Sequence, residues 1–490
     1  MSLPDPVAEH ARLRGDAFAV ETPGYAWTWR AADEFVDAAA PRLQRLADGR
    51  GVAVQAPPSP TVVVLVWAAL RAGVTLVPLS PRWPPAAVGK TLARLGVRRL
   101  VTDGEPPAGV EAVGLDALIE PDDVEPRAAA TLDPERPFTV VHTSGSTGTP
   151  KAALHTLANH VASARGVIER LDLRPGDRWW LDLPLEHVGG LGVVVRCALA
   201  GAAVALPDRG LSLAENLDAL RPTHASLVPT QLGRWLDAAD VGADVSSLRA
   251  VLVGGAATPP ELLDRALEAG LPVCTSWGMT EMTATVTATA PGAGRHALAT
   301  AGAPLAGREV RIDAPDSGSG EIWVRGASRF QGYLRGALGG PLAEPFDADG
   351  WFATGDLGRF DAAGRLVVTG RADLQFVSGG ENVQPEAIER VLRAVDGVAE
   401  AVVVPVPSAT FGARPVAFVR PAAVGIGDRD ALPVALVAAV DAAVRAALPG
   451  FMVPDAFYVW AGTDGLKPDR PALTREAEHR AAGRMREGGV

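Results

Sequence analysis

The stretch FTVVHTSGSTGTPK, residues 138–151, governs the reading of this chain. Its first half is apolar and rich in β-branched residues, which predicts a buried strand. Its second half, from Thr143 to Lys151, crowds hydroxyls, two glycines and a lysine directly behind that strand. Gly145 and Gly148 allow backbone N–H groups to turn inward as an anion nest, the hydroxyls of Thr143, Ser144, Ser146 and Thr147 add donors, and Lys151 supplies the charge. The expected ligand is a phosphate chain. Neither the Walker pattern G-x-x-x-x-G-K-[ST] nor the dinucleotide fingerprint G-x-G-x-x-G fits the segment. A bland Ser/Gly surface loop is the competing reading, and the closing Thr-Pro-Lys after a buried strand argues against it.

Working outward, residues 50–310 alternate short β-branched runs with Ala/Leu-rich stretches of helical period, as in GVAVQA, VVVLVWAALRAG and VTLVPL. That alternation predicts parallel βαβ units with helices on both faces of the sheet. After about residue 300 the texture turns to alternating strands with Gly/Asp turns, and a new α+β pattern begins after Arg371. The fold class is therefore α/β. Residues 1–371 are expected to form a large N-terminal domain of βαβ subdomains plus a β-rich subdomain, and residues 372–490 a small α+β C-terminal domain.

Composition limits the partners. Of 490 residues, 46 are Lys or Arg and 57 Asp or Glu, a net charge of −11, which argues against nucleic-acid or anionic-membrane binding through overall charge. The longest apolar run near the amino terminus, Val62 to Leu70, falls short of the ~18 residues of a membrane helix. No signal-peptide pattern precedes it, and Cys197 and Cys274 belong to no thiol pair, so a reducing, cytoplasmic setting is expected. His155 and His160 are five apart and no H-E-x-x-H occurs, so no zinc site is expected.

TSGSTGTPK resembles the phosphate-loop motif of the adenylate-forming superfamily, the AMP-dependent synthetases and ligases. Trp277-Gly-Met-Thr-Glu281, Thr354-Gly-Asp-Leu-Gly358, Gly370-Arg-Ala-Asp373 and Lys467 follow in that superfamily's order. The resemblance implies an enzyme that joins a carboxylate to the α-phosphate of ATP and then passes the acyl group to a thiol. It implies Lys467 as the transition-state cation, Glu281 as the Mg2+ carboxylate and Thr280 as an α-phosphate contact. Asp356 and Arg371 are implied to hold the ribose and phosphate, and Gly255, Ala256, Trp277 and Gly278 to hold the adenine. Trp277 stands where the superfamily usually has tyrosine, and an aromatic face still serves for stacking.

Three further stretches, LPLEHVGGLGVVVR (183–196), RPTHASLVPTQL (221–232) and FVSGGENVQPEAIE (376–389), most resemble the o-succinylbenzoate-CoA ligase family of menaquinone biosynthesis. That likeness implies an aromatic dicarboxylate substrate with ATP and coenzyme A as co-substrates; the short apolar runs predict no membrane insertion, and homo-oligomerisation stays open. Arg196 interrupts an apolar run where a buried charge needs a partner, which makes it the candidate anchor for the carboxylate that is not activated. A surface arginine is the alternative. His187 resembles the gating residue beside the acyl pocket, although Glu186 precedes it where an aromatic is commoner. Ser226, Val228 and Thr230 are expected to share one face of a strand, with Ser276 and Thr283 flanking the adenylate motif. The same likeness implies that Gly379 and Gly380 line the passage for the CoA arm and that Asp373 is the hinge of a mobile C-terminal domain, residues 372–490. Readings that keep the fold are an aryl- or acyl-CoA ligase of other specificity and an adenylation enzyme loading a carrier protein. Against a non-catalytic nucleotide-binding regulator stands the joint retention of Glu281, Asp356, Arg371 and Lys467.

Overall fold

The computed structural model describes residues 3–47, 51–119, 131–143, 150–240, 242–314, 318–408, 410–422, 431–460, 462 and 468–487. Contacts divide the chain into two units. One holds residues 1–311, 323–353 and 361–367, and the other residues 312–322, 354–360 and 368–490.

Two sheets with parallel centres build the first unit. The nine-stranded sheet runs in the order Ala303–Pro304, Ala284–Ala288, Val273–Met279, Ala250–Val253, His224–Leu227, Arg178–Trp180, Ala203–Ala205, Phe18–Thr22, Tyr25–Thr28. From Val273–Met279 to Phe18–Thr22 its neighbours are parallel, and its edges are antiparallel. In the eight-stranded sheet the order is Leu342–Ala343, Gly332–Leu334, Lys151–Thr156, Pro137–Thr143, Leu76–Pro78, Val52–Val54, Arg99–Val101, Glu111–Val113. The first four of these strands are antiparallel and the rest parallel.

Helices occupy the space between the sheets. The largest core cluster joins Val62–Leu70, Leu157, Val161 and Val193–Val195 from helices Pro60–Ala72, Leu157–Leu171 and Val188–Ala200 to Val54 and Val141 of one sheet and Val204, Leu252 and Cys274 of the other. Separate clusters cover the outer faces, with Val88 and Leu92 over the eight-stranded sheet and Leu217, Leu232 and Leu263 over the nine-stranded one. Local signals set these helices. Ser59 accepts the Val62 N–H, Pro60 opens helix Pro60–Ala72, and Gly73 at φ 64° ends it in the left-handed conformation. Among the described residues no helix is long and apolar enough to cross a membrane.

A four-stranded sheet runs Arg308–Asp313, Gly320–Gly326, Phe352–Phe360, Leu366–Arg371. In the second unit, strands Glu381–Val383, Phe376–Ser378, Gly412–Pro421 and Val398–Ser408 form a sheet, with Phe457–Val459 parallel to Gly412–Pro421. Strand alternation divides its core in two. Ala401, Val403, Ala417 and Val419 pack with helices Pro385–Arg393 and Val434–Ala447, whereas Val402, Val404, Val416 and Phe418 pack with Leu473 and Ala477 of helix Arg470–Glu487.

One sequence expectation is corrected. Strand His224–Leu227 stops before Val228, and Thr230 lies in helix Pro229–Asp240, so Ser226, Val228 and Thr230 do not share a strand face. Pro229 opens the helix, and the Gln231 side chain accepts the Val228 N–H at 3.0 Å, so the local signals there are those of a helix start.

Candidate functional site

Thr143 ends one strand and Lys151 begins the next, and the two are register partners. Ser144, Gly145, Ser146, Thr147 and Gly148 lie outside the described residues, as does Lys467. Lys151 is exposed, with its Nζ 5.0 Å from the centre of the Tyr333 ring.

Strand Val273–Met279 leads into the 3-10 turn Thr280–Met282, which presents Thr280 and Glu281. The chain returns through Thr283 and Ala284 at φ 52° and 91°, two side-chain-bearing residues in a sparsely populated region. The hairpin is tight. A Cβ at position 278 would lie 1.9 Å from the Ala284 carbonyl oxygen, so only glycine fits in Trp277-Gly278-Met279. Thr283 donates its hydroxyl to the Ser328 carbonyl at 2.7 Å and is buried, which commits that group to the backbone.

Glu281 is buried, and its Oε1 accepts from the Tyr333 hydroxyl at 2.5 Å. Burial, and then the adjacent carboxylate, raise the Tyr333 pKa, so the phenol stays protonated as the donor. The Thr280 carbonyl accepts from His155 Nε2 at 2.8 Å. Burial pushes His155 down to about 4, which leaves the ring neutral with its proton on the nitrogen facing that carbonyl. His160 packs edge-on against His155 and lies 2.8 Å from the Thr139 hydroxyl.

Beyond strand Ala250–Val253, Gly255 at φ 81° and Ala256 are exposed. Ser276 donates its hydroxyl to the Val253 carbonyl at 2.9 Å, beneath Gly254, where an added Cβ would meet the Ser276 oxygen at 2.6 Å. Trp277 is half-buried beside them.

Arg196 lies inside helix Val188–Ala200 with 2 % of its surface exposed. Its guanidinium faces the Trp179 ring at 4.4 Å, and its Nε and Nη1 have no hydrogen-bond partner. Burial pushes its pKa down to about 10. Gly192, one turn earlier, leaves room for it, since a Cβ there would meet Nη2 at 2.7 Å. Trp179 donates its indole N–H to Ser226 at 3.1 Å and stacks on His224 at 5.1 Å. These contacts bring Arg196 and Ser226 to one indole. His187 is exposed at the N-cap of the same helix, nine residues from Arg196, or about 13 Å along the axis.

In the second unit, Arg371 joins two carboxylates. Its Nη1 donates to Asp356 at 2.8 Å, and its Nε and Nη2 donate to the two oxygens of Asp373 at 2.8 and 3.1 Å. The Arg371 guanidinium holds the Asp373 carboxyl below its ordinary range. Gly379 and Gly380 are the central residues of a hairpin in which Ser378 pairs with Glu381, at φ 61° and 88°. Two successive left-handed residues account for that glycine pair as a tight turn.

The sequence matches the AMP-binding enzyme family over residues 7–334 and its C-terminal domain over residues 387–464. The chain belongs to the AMP-binding enzyme family. It is similar to the 2-succinylbenzoate--CoA ligase of Escherichia coli (strain K12), 39% identical over 411 residues that cover 83% of this chain and 85% of that enzyme. Among solved structures it resembles the o-succinylbenzoate CoA synthetase of Bacillus subtilis in complex with the acyl-adenylate intermediate OSB-AMP, with a TM-score of 0.83, 25% identity and 98% of each chain covered. The same enzyme in complex with ATP and magnesium ion gives a TM-score of 0.81 at 26% identity, covering 94% of this chain and 96% of that one.

Trp179, Tyr333 and His155 escape the sequence reading as site residues. Trp179 carries one usable signal, a double tryptophan in a short strand that precedes an arginine-bearing apolar helix. Tyr333 and His155 carry none, because their partners at Glu281 and Thr280 are 52 and 125 residues away in sequence.

Proposed function

We propose that this protein is an ATP-dependent o-succinylbenzoate-CoA ligase. The observation that carries the acid specificity is Arg196, a buried guanidinium with two nitrogens lacking hydrogen-bond partners, held against Trp179, whose indole N–H donates to the small Ser226. A buried cation of this kind needs a partner, and an aromatic acid with a second carboxylate supplies one.

The aliphatic carboxylate attacks the α-phosphorus of ATP. A new C–O–P linkage forms, the bond to the bridging oxygen breaks, and pyrophosphate leaves. The coenzyme A thiol then attacks the acyl carbon, loses its proton, and displaces AMP. The first step brings anion to anion, so charge neutralisation is the main requirement. Lys151 and the loop Thr143–Gly148 serve the phosphates, Lys467 the transition state, and Thr280 the α-phosphate. Asp356 and Arg371 bind the ribose, while Gly255, Ala256, Trp277 and Gly278 bound the adenine.

Among the described residues no group of three metal-ligating side chains occurs, so Mg2+ would be held by Glu281 with nucleotide oxygens and water, the ligand set this ion favours. Bound there, it would neutralise phosphate charge. Glu281 fits, being a buried carboxylate fixed through one oxygen. His187 and Ser276 border the acyl pocket, with Thr283 shaping the turn behind it. Gly379 and Gly380 line the route of the CoA arm, and Asp373 is the hinge between residues 1–371 and 372–490. The enzyme works in the cytoplasm on small molecules. Pyrophosphate release across a panel of carboxylic acids, with and without CoA, tests the reading. Turnover with o-succinylbenzoate is expected, and turnover of benzoates or fatty acids alone would overturn it.

A further inference from the structure

Strand Gly332–Leu334 lies antiparallel to Lys151–Thr156, with Tyr333 opposite Ala153. That register places a phenol between two groups with separate duties. The ring stands 5.0 Å from Lys151 Nζ, and the hydroxyl is 2.5 Å from Glu281 Oε1. Phe330 braces the arrangement from behind. Its ring meets Tyr333 edge-on at 4.8 Å, and its backbone N–H donates to the Glu281 carbonyl at 2.9 Å.

An ionised carboxylate only accepts hydrogen bonds, and a phenol has one proton to give. Tyr333 therefore fixes the carboxylate through Oε1 and leaves Oε2 as the remaining ligand atom. The same ring offers its face to the lysine ammonium, an attractive contact. We propose that Tyr333 is a positioning residue that orients the Glu281 carboxylate toward the Mg2+ of ATP and sets its spacing from Lys151. The inference rests on the assignment of Glu281 as the metal carboxylate.

Tyr333→Phe keeps the ring, and with it the Phe330 and Lys151 contacts, and removes only the hydroxyl. Calorimetry of ATP binding in the absence of acid, with and without Mg2+, measures how strongly the metal tightens the nucleotide. That enhancement is expected to fall about tenfold in Tyr333→Phe, matching loss of one charge-assisted hydrogen bond. The Mg2+ concentration for half-maximal acid-dependent ATP–pyrophosphate exchange should rise by a similar factor, with the acid KM and the thermal midpoint unchanged. Tyr333→Leu should in addition raise the KM for ATP, because it also removes the surface beneath Lys151. An unchanged or larger metal enhancement in Tyr333→Phe would overturn the inference. Glu281→Gln separates the two assignments. If it leaves the enhancement intact, the metal role of Glu281 fails; if it abolishes the enhancement while Tyr333→Phe does not, only the role of Tyr333 fails.

Discussion

Replacing Arg196 by methionine should move stability and substrate affinity in opposite directions. Burial pushes the guanidinium down to about 10, which corresponds to roughly 3 kcal/mol against the charged form at neutral pH. The sign is that of a cation with a lowered pKa, so the cost is present below about pH 10 and is relieved above it. The face contact with Trp179 offsets about 1–2 kcal/mol of this. Methionine has similar reach and no charge, so Arg196→Met should be neutral or stabilising by about 1 kcal/mol, read as an unchanged or higher urea midpoint. Loss of the partner for a buried substrate carboxylate costs about 2–5 kcal/mol, or roughly thirty- to several thousandfold in the KM for o-succinylbenzoate. The KM for ATP should not change. Equilibrium urea unfolding and steady-state pyrophosphate release measure the two effects. A variant destabilised by more than about 2 kcal/mol with a normal acid KM would show that Arg196 is a structural cation.

Lys467→Ala should abolish adenylate formation while largely sparing thioester formation from supplied acyl-AMP, and equal loss of both steps would remove its assignment. Acid sensitivity should trace in part to His155. Its pKa is lowered to about 4 by burial, so the neutral ring contributes stability that is intact above about pH 6.5 and lost as pH falls toward 4. Urea midpoints measured between pH 7 and 4 should fall less steeply in His155→Gln than in the parent chain, and parallel slopes would count against this source.

Much of the organisation was written locally. Pro385 and Glu386 carry the local signal of a helix start and open helix Pro385–Arg393, and the β-branched run Val402–Val404 lies buried in strand Val398–Ser408. Gly278 and the pair Gly379–Gly380 stood out as glycines, yet their reason needed coordinates, a close approach to Ala284 in one case and a two-residue hairpin in the other. The strand expected through Thr230 stops at Leu227, because Pro229 has no N–H for a strand ladder and opens a helix instead. The contacts around Arg196 were half legible. An arginine in an apolar helix signals a buried charge, but its indole partner is set by the packing of helix Val188–Ala200 on strand Arg178–Trp180. Tyr333 was beyond sequence reading because strand register, which propensity does not encode, brings it to Lys151.

In the proposed reaction the aliphatic carboxylate of o-succinylbenzoate is activated as an acyl adenylate before transfer to CoA. Labelling that carboxyl with oxygen-18 and turning the substrate over to completion with ATP and CoA tests it most directly. One labelled oxygen is expected in the phosphate of AMP, one in the thioester carbonyl and none in pyrophosphate. Label in pyrophosphate or inorganic phosphate, or AMP without label, would contradict it.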